Sequence, residues 1–208
     1  MVRRSRLPAE VTRVIEVMNV PEELAITPKP HDGFVVFYGG NLSKDRGLQY
    51  LVPACERIGA RLLVAGQGPD EVELVRLVRQ SRNAEFLGYL PHDEVLRHTA
   101  NADAIPLLYD PAVQINRLAS PNKLFEAMMY AKPVVVSEGI SVAEFVQREG
   151  MGRVVPYGDI ERLRQALAEL QGSLAERARL GSRGRAAYES RYRWDVMRDR
   201  LLAAYASL

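Results

Sequence analysis

The sequence predicts an α/β domain: a Rossmann-like parallel sheet with helices on both faces. Three observations carry this. From Phe34 onward, short apolar runs of strand length alternate repeatedly with longer amphipathic runs of helical period. Repeated strand-then-helix units place successive strands side by side and parallel. Two glycine-containing loops, Gly39-Gly40-Asn41 and Gly66-Gln67-Gly68-Pro69, each follow a strand-like run, where ligands bind in open α/β sheets.

The elements follow in order. Phe34–Tyr38 reads as a buried strand, and 47–58 as a helix with Leu48, Leu51, Val52 and Cys55 on one face. Arg61–Ala65 is a strand, and 70–80 a helix with Val72, Val75 and Val78 on its apolar side. A short strand at Ala84–Leu87 precedes a helix opened by Pro91-His92-Asp93-Glu94, with acids in the favoured first turn. Ala104–Leu108 is the next strand. Then come a helix from Ser120, a strand at Val134–Val136, a helix at 142–149 and a strand at 153–155. From Asp159 to Leu208 the pattern is helical throughout, with Leu163, Leu167 and Leu170 in one stripe and Gly181-Ser182-Arg183-Gly184 as a candidate break. Val11–Val20 suits a strand or short helix before Pro21, Pro28 and Pro30 end regularity.

Composition bounds the function classes. The 208 residues suffice for one α/β domain with a real core. A net charge of +2 gives no reason to expect nucleic acid as a partner. Cys55 is the only cysteine, so neither a disulfide nor a cysteine metal cluster forms within the chain. No apolar run approaches the roughly 20 residues of a membrane span. Met1–Arg6 is basic with no apolar region after it, so no signal peptide is expected, and a cytoplasmic location is.

The most informative segment is 120–136, Ser-Pro-Asn-Lys-Leu-Phe-Glu-Ala-Met-Met-Tyr-Ala-Lys-Pro-Val-Val-Val. Ser120 suits a helix N-cap and Pro121 a first-turn position, where its missing N–H costs nothing. The amides of Asn122, Lys123 and Leu124 then stand at the positive end of the helix dipole, a site suited to phosphate. Asn122, Glu126 and Tyr130 form one polar stripe. Glu126, one turn below, is placed to accept hydrogen bonds from ribose hydroxyls. The plain alternative is a capped helix of any α/β domain. A cation at a helix N-terminus opposes the dipole, and such conflicts are more often found at functional sites, which favours Lys123 neutralising phosphate charge over a solvated lysine.

The pattern Ser-Pro-Asn-Lys-Leu-Phe-Glu-x-Met-x-x-x-Lys-Pro-Val-Val resembles the donor-site signature of glycosyltransferase family 4. These are retaining enzymes of the GT-B class, in which two Rossmann-like domains face a cleft. The resemblance runs from about Phe34 to the C-terminus. It implies that residues 31–208 are the nucleotide-sugar donor-binding half, and that residues 1–30 are a hinge remnant from an N-terminal acceptor domain. Met18-Asn19-Val20-Pro21-Glu22-Glu23 resembles the family's interdomain link, and Tyr192-Arg193-Trp194 its aromatic-x-Trp before the last helix. That helix crosses to the N-terminal domain in full enzymes, so its apolar side is expected exposed or repacked.

The resemblance also implies roles for the loops. Gly39–Gly47 resembles the family's Gly-Arg…Glu-Lys-Gly loop, whose two cations hold the diphosphate. Asn41 stands at the arginine position and Arg46 at the lysine position, so one charge is lost, with Lys44 a candidate to compensate. Gly40, Asn41, Arg46, Ser120, Pro121, Asn122 and Lys123 are the implied phosphate site. Gln67 and Gly68, in the family's Gly-x-Gly-Pro loop, and Tyr89 and Leu90, after Phe86-Leu87-Gly88, are implied beside the base. Ordinary surface loops and a half-buried Tyr89 are the plain alternatives. In the family's Glu-x7-Glu pair, Glu126 matches the second, ribose-binding member, while Leu118 occupies the first.

His31, His92 and His98 are widely spaced, without metal-ligand spacing, and are assigned no chemistry. The implied partner is a UDP- or GDP-sugar, with no metal or other cofactor, and the acceptor site lies on the missing half or a separate partner. Peripheral membrane contact of the full enzyme stays open. The fragment alone is expected to bind donor with little or no transfer. Rival readings are a non-catalytic nucleotide-binding subunit and a sugar-nucleotide epimerase of similar architecture. The absence of Gly-x-Gly-x-x-Gly argues against a NAD enzyme.

Overall fold

The computed structural model describes residues 14–206. The alternating elements fold as six parallel strands and nine α-helices among those residues: β1 (Val35–Gly39), α1 (Leu48–Arg57), β2 (Arg61–Ala65), α2 (Glu71–Gln80), β3 (Ala84–Phe86), α3 (His92–Asn101), β4 (Ile105–Leu107), α4 (Gln114–Arg117), α5 (Asn122–Met129), β5 (Val134–Ser137), α6 (Ser141–Glu149), β6 (Gly152–Val155), α7 (Ile160–Gly172), α8 (Leu174–Ala187) and α9 (Trp194–Tyr205). The expected sheet class is observed.

β1-β2-β3 and β4-β5-β6 form two three-stranded parallel sheets. A parallel bridge between Val36 and Ala104 joins them, with the Phe37 amide donating to the Ala104 carbonyl at 3.3 Å. Read across, the order is β3-β2-β1-β4-β5-β6. Chain direction reverses its winding between β1 and β4, and a crevice opens there at the strands' carboxyl ends.

Two-residue periodicity distributes each strand between two cores. Val35, Phe37, Ile105, Leu107, Val134 and Val136 pack with α5 and α6. Phe34, Val36, Tyr38, Leu62, Val64 and Val135 pack with α1, α2 and α7. Burial on both faces explains why Val134–Val136 is apolar throughout rather than alternating. Cys55 sits in the second core, and burial pushes its thiol far above the usual range.

Several details differ from expectation. On α2 the apolar face is Leu74, Val75 and Val78, while Val72 is 79% exposed. Val72 and Val75 are neighbours at i,i+3, but the core lies to the Leu74 side. Residues 14–30 contain no helix or strand, and the earlier part of the expected Val11–Val20 element lies outside the described residues. Gly181 and Gly184 do not break the tail. They lie inside α8, because a Cβ at 181 would overlap the Ala131 carbonyl and one at 184 would crowd Met151. The helical tail divides instead at Ser173, whose side chain caps α8 by accepting from the Glu176 amide at 3.1 Å, and again at the π-helical turn Tyr188–Tyr192 before α9. The short helix α4 had no signal in the apolar pattern.

Candidate nucleotide site at the β1–β4 crevice

Residues 40–47, which lead from β1 into α1, form one wall of the crevice. Gly40 and Gly66 approach so closely that a Cβ on Gly66 (φ +138°) would overlap the Gly40 carbonyl oxygen. Gly68 packs equally tightly on Asn41 and Leu42. Hence both sequence-marked loops need glycine, and they support each other backbone to backbone. The Leu42 amide donates to Gln67 at 3.0 Å, and the Gly40 amide to Ala65 at 2.9 Å.

The opposite wall is the segment from β4 into α5. Between the walls lies a cavity of about 270 Å³, lined by Tyr38, Asn41, Arg46, Tyr109, Ala119, Ser120, Pro121 and Lys123. Two cations enter it. The Arg46 guanidinium lies 4.5 Å from the centre of the Tyr109 ring. The Lys123 ammonium lies 4.6 Å from the Tyr38 ring, beside Gly40. Among the described residues no carboxylate stands within 4 Å of that ammonium. Burial, with Arg46 adding repulsion against the attraction of Glu126, holds the Lys123 pKa down to about 8.

Lys44 does not supply the charge missing at Asn41. It points outward and pairs with Glu73 at 2.7 Å. Lys123 brings the second cation instead, from the helix side.

Glu126 is 5% exposed, one turn along α5. Burial raises its pKa, opposed by His92 and Lys123. His92, to which the sequence assigned no chemistry, places Nδ1 3.9 Å from a Glu126 carboxylate oxygen. It sits at the first residue of α3, just past the Gly88–Pro91 loop, and only spatial proximity reveals it.

The start of α5 differs from the sequence reading. Pro121, not Ser120, is the N-cap, without a side-chain capping bond, and Asn122 is the first helical residue. The Ser120 hydroxyl instead lies 3.8 Å from the Met18 sulfur. The Leu124 amide donates to the Pro121 carbonyl at 3.1 Å and is not free for a ligand. Asn122 is exposed, outside the cavity lining, and its side-chain oxygen accepts from Asn19 at 3.2 Å. Gln67 is exposed, Gly68 half-buried, Tyr89 69% exposed and Leu90 half-buried. They form an open shelf beyond the cavity rather than an enclosed base pocket.

A half-sheet pair with its crevice at the winding reversal is a Rossmann-like unit, and solved structures with this fold include GT-B glycosyltransferases. HepE of Anabaena, solved with UDP, superposes with a TM-score of 0.72 at 19% identity, over 85% of this chain and 49% of that one. The C-terminal domain of a group 1 glycosyl transferase, LpcC of Francisella tularensis, matches at 0.66 and 16% identity, covering 77% of this chain and 87% of that one. The model of the family "Glycosyl transferases group 1" matches residues 33–172, so this chain belongs to that family. A curated relative, the GDP-mannose-dependent monoacylated alpha-(1-6)-phosphatidylinositol monomannoside mannosyltransferase of Corynebacterium glutamicum, is 29% identical over 177 residues, 80% of this chain and 45% of its own. The O-antigen chain mannosyltransferase C of Escherichia coli is 26% identical over 182 residues, 85% of this chain and 47% of its own. The chain spans about half the length of these relatives. No described helix is long and apolar enough to cross a membrane.

Proposed function

We propose that residues 31–208 are the donor-binding domain of a retaining, cytoplasmic glycosyltransferase that uses a nucleoside-diphosphate sugar. The observation that carries this is the pair of cations, Arg46 and Lys123, converging on one cavity at the β1–β4 crevice. A diphosphate between them receives two charge-assisted contacts, and the amides at the start of α5 add to them. As the sugar leaves, negative charge grows on the departing oxygen, and the same cations stabilise it without a metal. Glu126 lies one turn from the phosphates, where a carboxylate accepts from the ribose hydroxyls. The base then rests on the shelf of Gln67, Gly68, Tyr89 and Leu90. Asn122 joins the site only after release from Asn19, and Ser120 contributes through its backbone.

No side chain lining the cavity is a general base for the acceptor, so we assign the acceptor site to a second domain or partner, and little or no transfer to this chain alone. The names of the mannosyltransferase relatives make GDP-mannose the first donor to try. Calorimetric titration with UDP, GDP and NAD tests the reading. Binding of UDP or GDP with NAD inert supports it. Preference for NAD, or no binding of either diphosphate, refutes it.

A further inference from the structure

Arg46 is flanked by a carboxylate. Asp45, its neighbour on the same turn, holds Oδ2 3.6 Å from the Arg46 Nε, and that nitrogen is buried with no hydrogen-bond partner. The two are already an ion pair; closing that gap to hydrogen-bond distance would add a charge-assisted hydrogen bond and tie up the guanidinium. It would also draw the carboxylate closer to a cavity proposed above as a diphosphate site. Something holds the carboxylate back.

The holding group is Asn116, fully buried on α4, the helix the sequence did not announce. Its Nδ2 donates to Asp45 Oδ2 at 2.9 Å and to the Asp110 carbonyl at 3.1 Å. The Ser43 hydroxyl donates to the other carboxylate oxygen, Oδ1. The Asp110 amide in turn donates to the Asp45 carbonyl at 2.9 Å. Both oxygens of Asp45 are thus occupied by neutral donors, and the loop after β4 is tied to the loop after β1 across the crevice. A carboxylate at 116 would repel Asp45, and an alkyl group would leave Oδ2 short of a partner.

We propose that Asn116 is a positioning residue that restrains the Asp45 carboxylate and thereby keeps the Arg46 guanidinium available to the diphosphate. This rests on the donor-site reading above.

The test is calorimetry on the full chain with UDP, GDP, uridine and guanosine. Asn116→Ala is expected to weaken diphosphate binding roughly tenfold, the scale of one hydrogen bond to a charged group, with nucleoside affinity unchanged. Adding Asp45→Asn to that variant is expected to restore diphosphate affinity, because the carboxylate that captures Arg46 is gone. A purely structural role for Asn116 predicts equal losses for diphosphate and nucleoside, and no rescue. Either result overturns the inference. If Asn116→Ala does not fold, Asp45→Asn alone decides: it is expected to bind diphosphate at least as tightly as the parent, and a tenfold loss would overturn the proposal. A parent that binds neither UDP nor GDP removes the donor-site reading itself, a distinguishable outcome.

Discussion

The two walls of the crevice are built on different principles. The β1–α1 wall is backbone against backbone: Gly40 on Gly66 and Gly68 on Leu42, with no room for a side chain. The α5 wall presents the Lys123 side chain, with buried Glu126 one turn further along and outside the cavity lining, on a helix packed by Leu124, Phe125, Met128 and Met129. The loop wall sets shape and contributes one cation. The helix wall contributes the second cation, and the Glu126 carboxylate lies one turn behind it. The second cation beside the cavity comes from across the crevice, while the neighbouring Lys44 pairs with Glu73.

The sharpest way to break this comparison is on the loop side. Gly66→Ala forces a side chain into the Gly40 carbonyl at a φ of +138°. It is expected to destabilise the fold by roughly 3 kcal/mol or more, read from urea unfolding. A loss below 1 kcal/mol would mean the loops are not locked together.

On the helix side the expected effect is on binding rather than stability. Lys123→Met is expected to weaken UDP or GDP binding by roughly 1.5–3 kcal/mol in calorimetry, the range of a hydrogen bond to a charged group. Thermal stability should hold or rise, because a poorly solvated cation is removed. Simultaneous loss of stability and unchanged binding would contradict the division between walls.

A pH series sharpens the same point. The Lys123 pKa is depressed to about 8 in the folded chain, against roughly 10.4 unfolded. Between these values the unfolded chain binds more protons, so stability of the empty domain rises with pH through that window. Diphosphate binding needs the charged form, so affinity falls over the same range. Lys123→Met should flatten both trends. Affinity independent of pH from 7 to 10 in the parent would show that Lys123 is not a ligand.

A smaller effect is expected at Glu126. Glu126→Gln keeps its shape but weakens acceptance from hydroxyls, and should reduce discrimination of UDP from its 2′-deoxy counterpart about fivefold, near 1 kcal/mol. Equal discrimination in both proteins would remove the ribose role. The smallest is at Tyr89, 69% exposed, where Tyr89→Ala should change stability by less than about 0.5 kcal/mol.

Much of this was legible in the sequence because the relevant signals are local. Strand and helix periods placed β1, β2 and β5 closely, and the 120–136 segment identified the helix with Lys123 and Glu126. Its start lies one residue later than the sequence suggests, since Ser120 is a good N-cap by type but its hydroxyl turns to Met18. Partners brought in by the fold were not legible. Asn19 reaching Asn122, His92 reaching Glu126 and Asn116 reaching Asp45 are separated by 71 to 103 residues where the two hydrogen bonds are concerned, and carry no periodic signature. Gly181 and Gly184 look like helix breakers in isolation, and only the Ala131 carbonyl pressed against α8 explains them. On α9, Leu202 and Tyr205 are exposed while Met197 is buried.

The most direct test of the central claim is a crystal structure of this chain soaked with GDP or UDP. The diphosphate is expected between the Arg46 guanidinium and the Lys123 ammonium, with ribose hydroxyls on Glu126. Nucleotide bound away from the β1–β4 crevice, or a diphosphate touching neither cation, would contradict it.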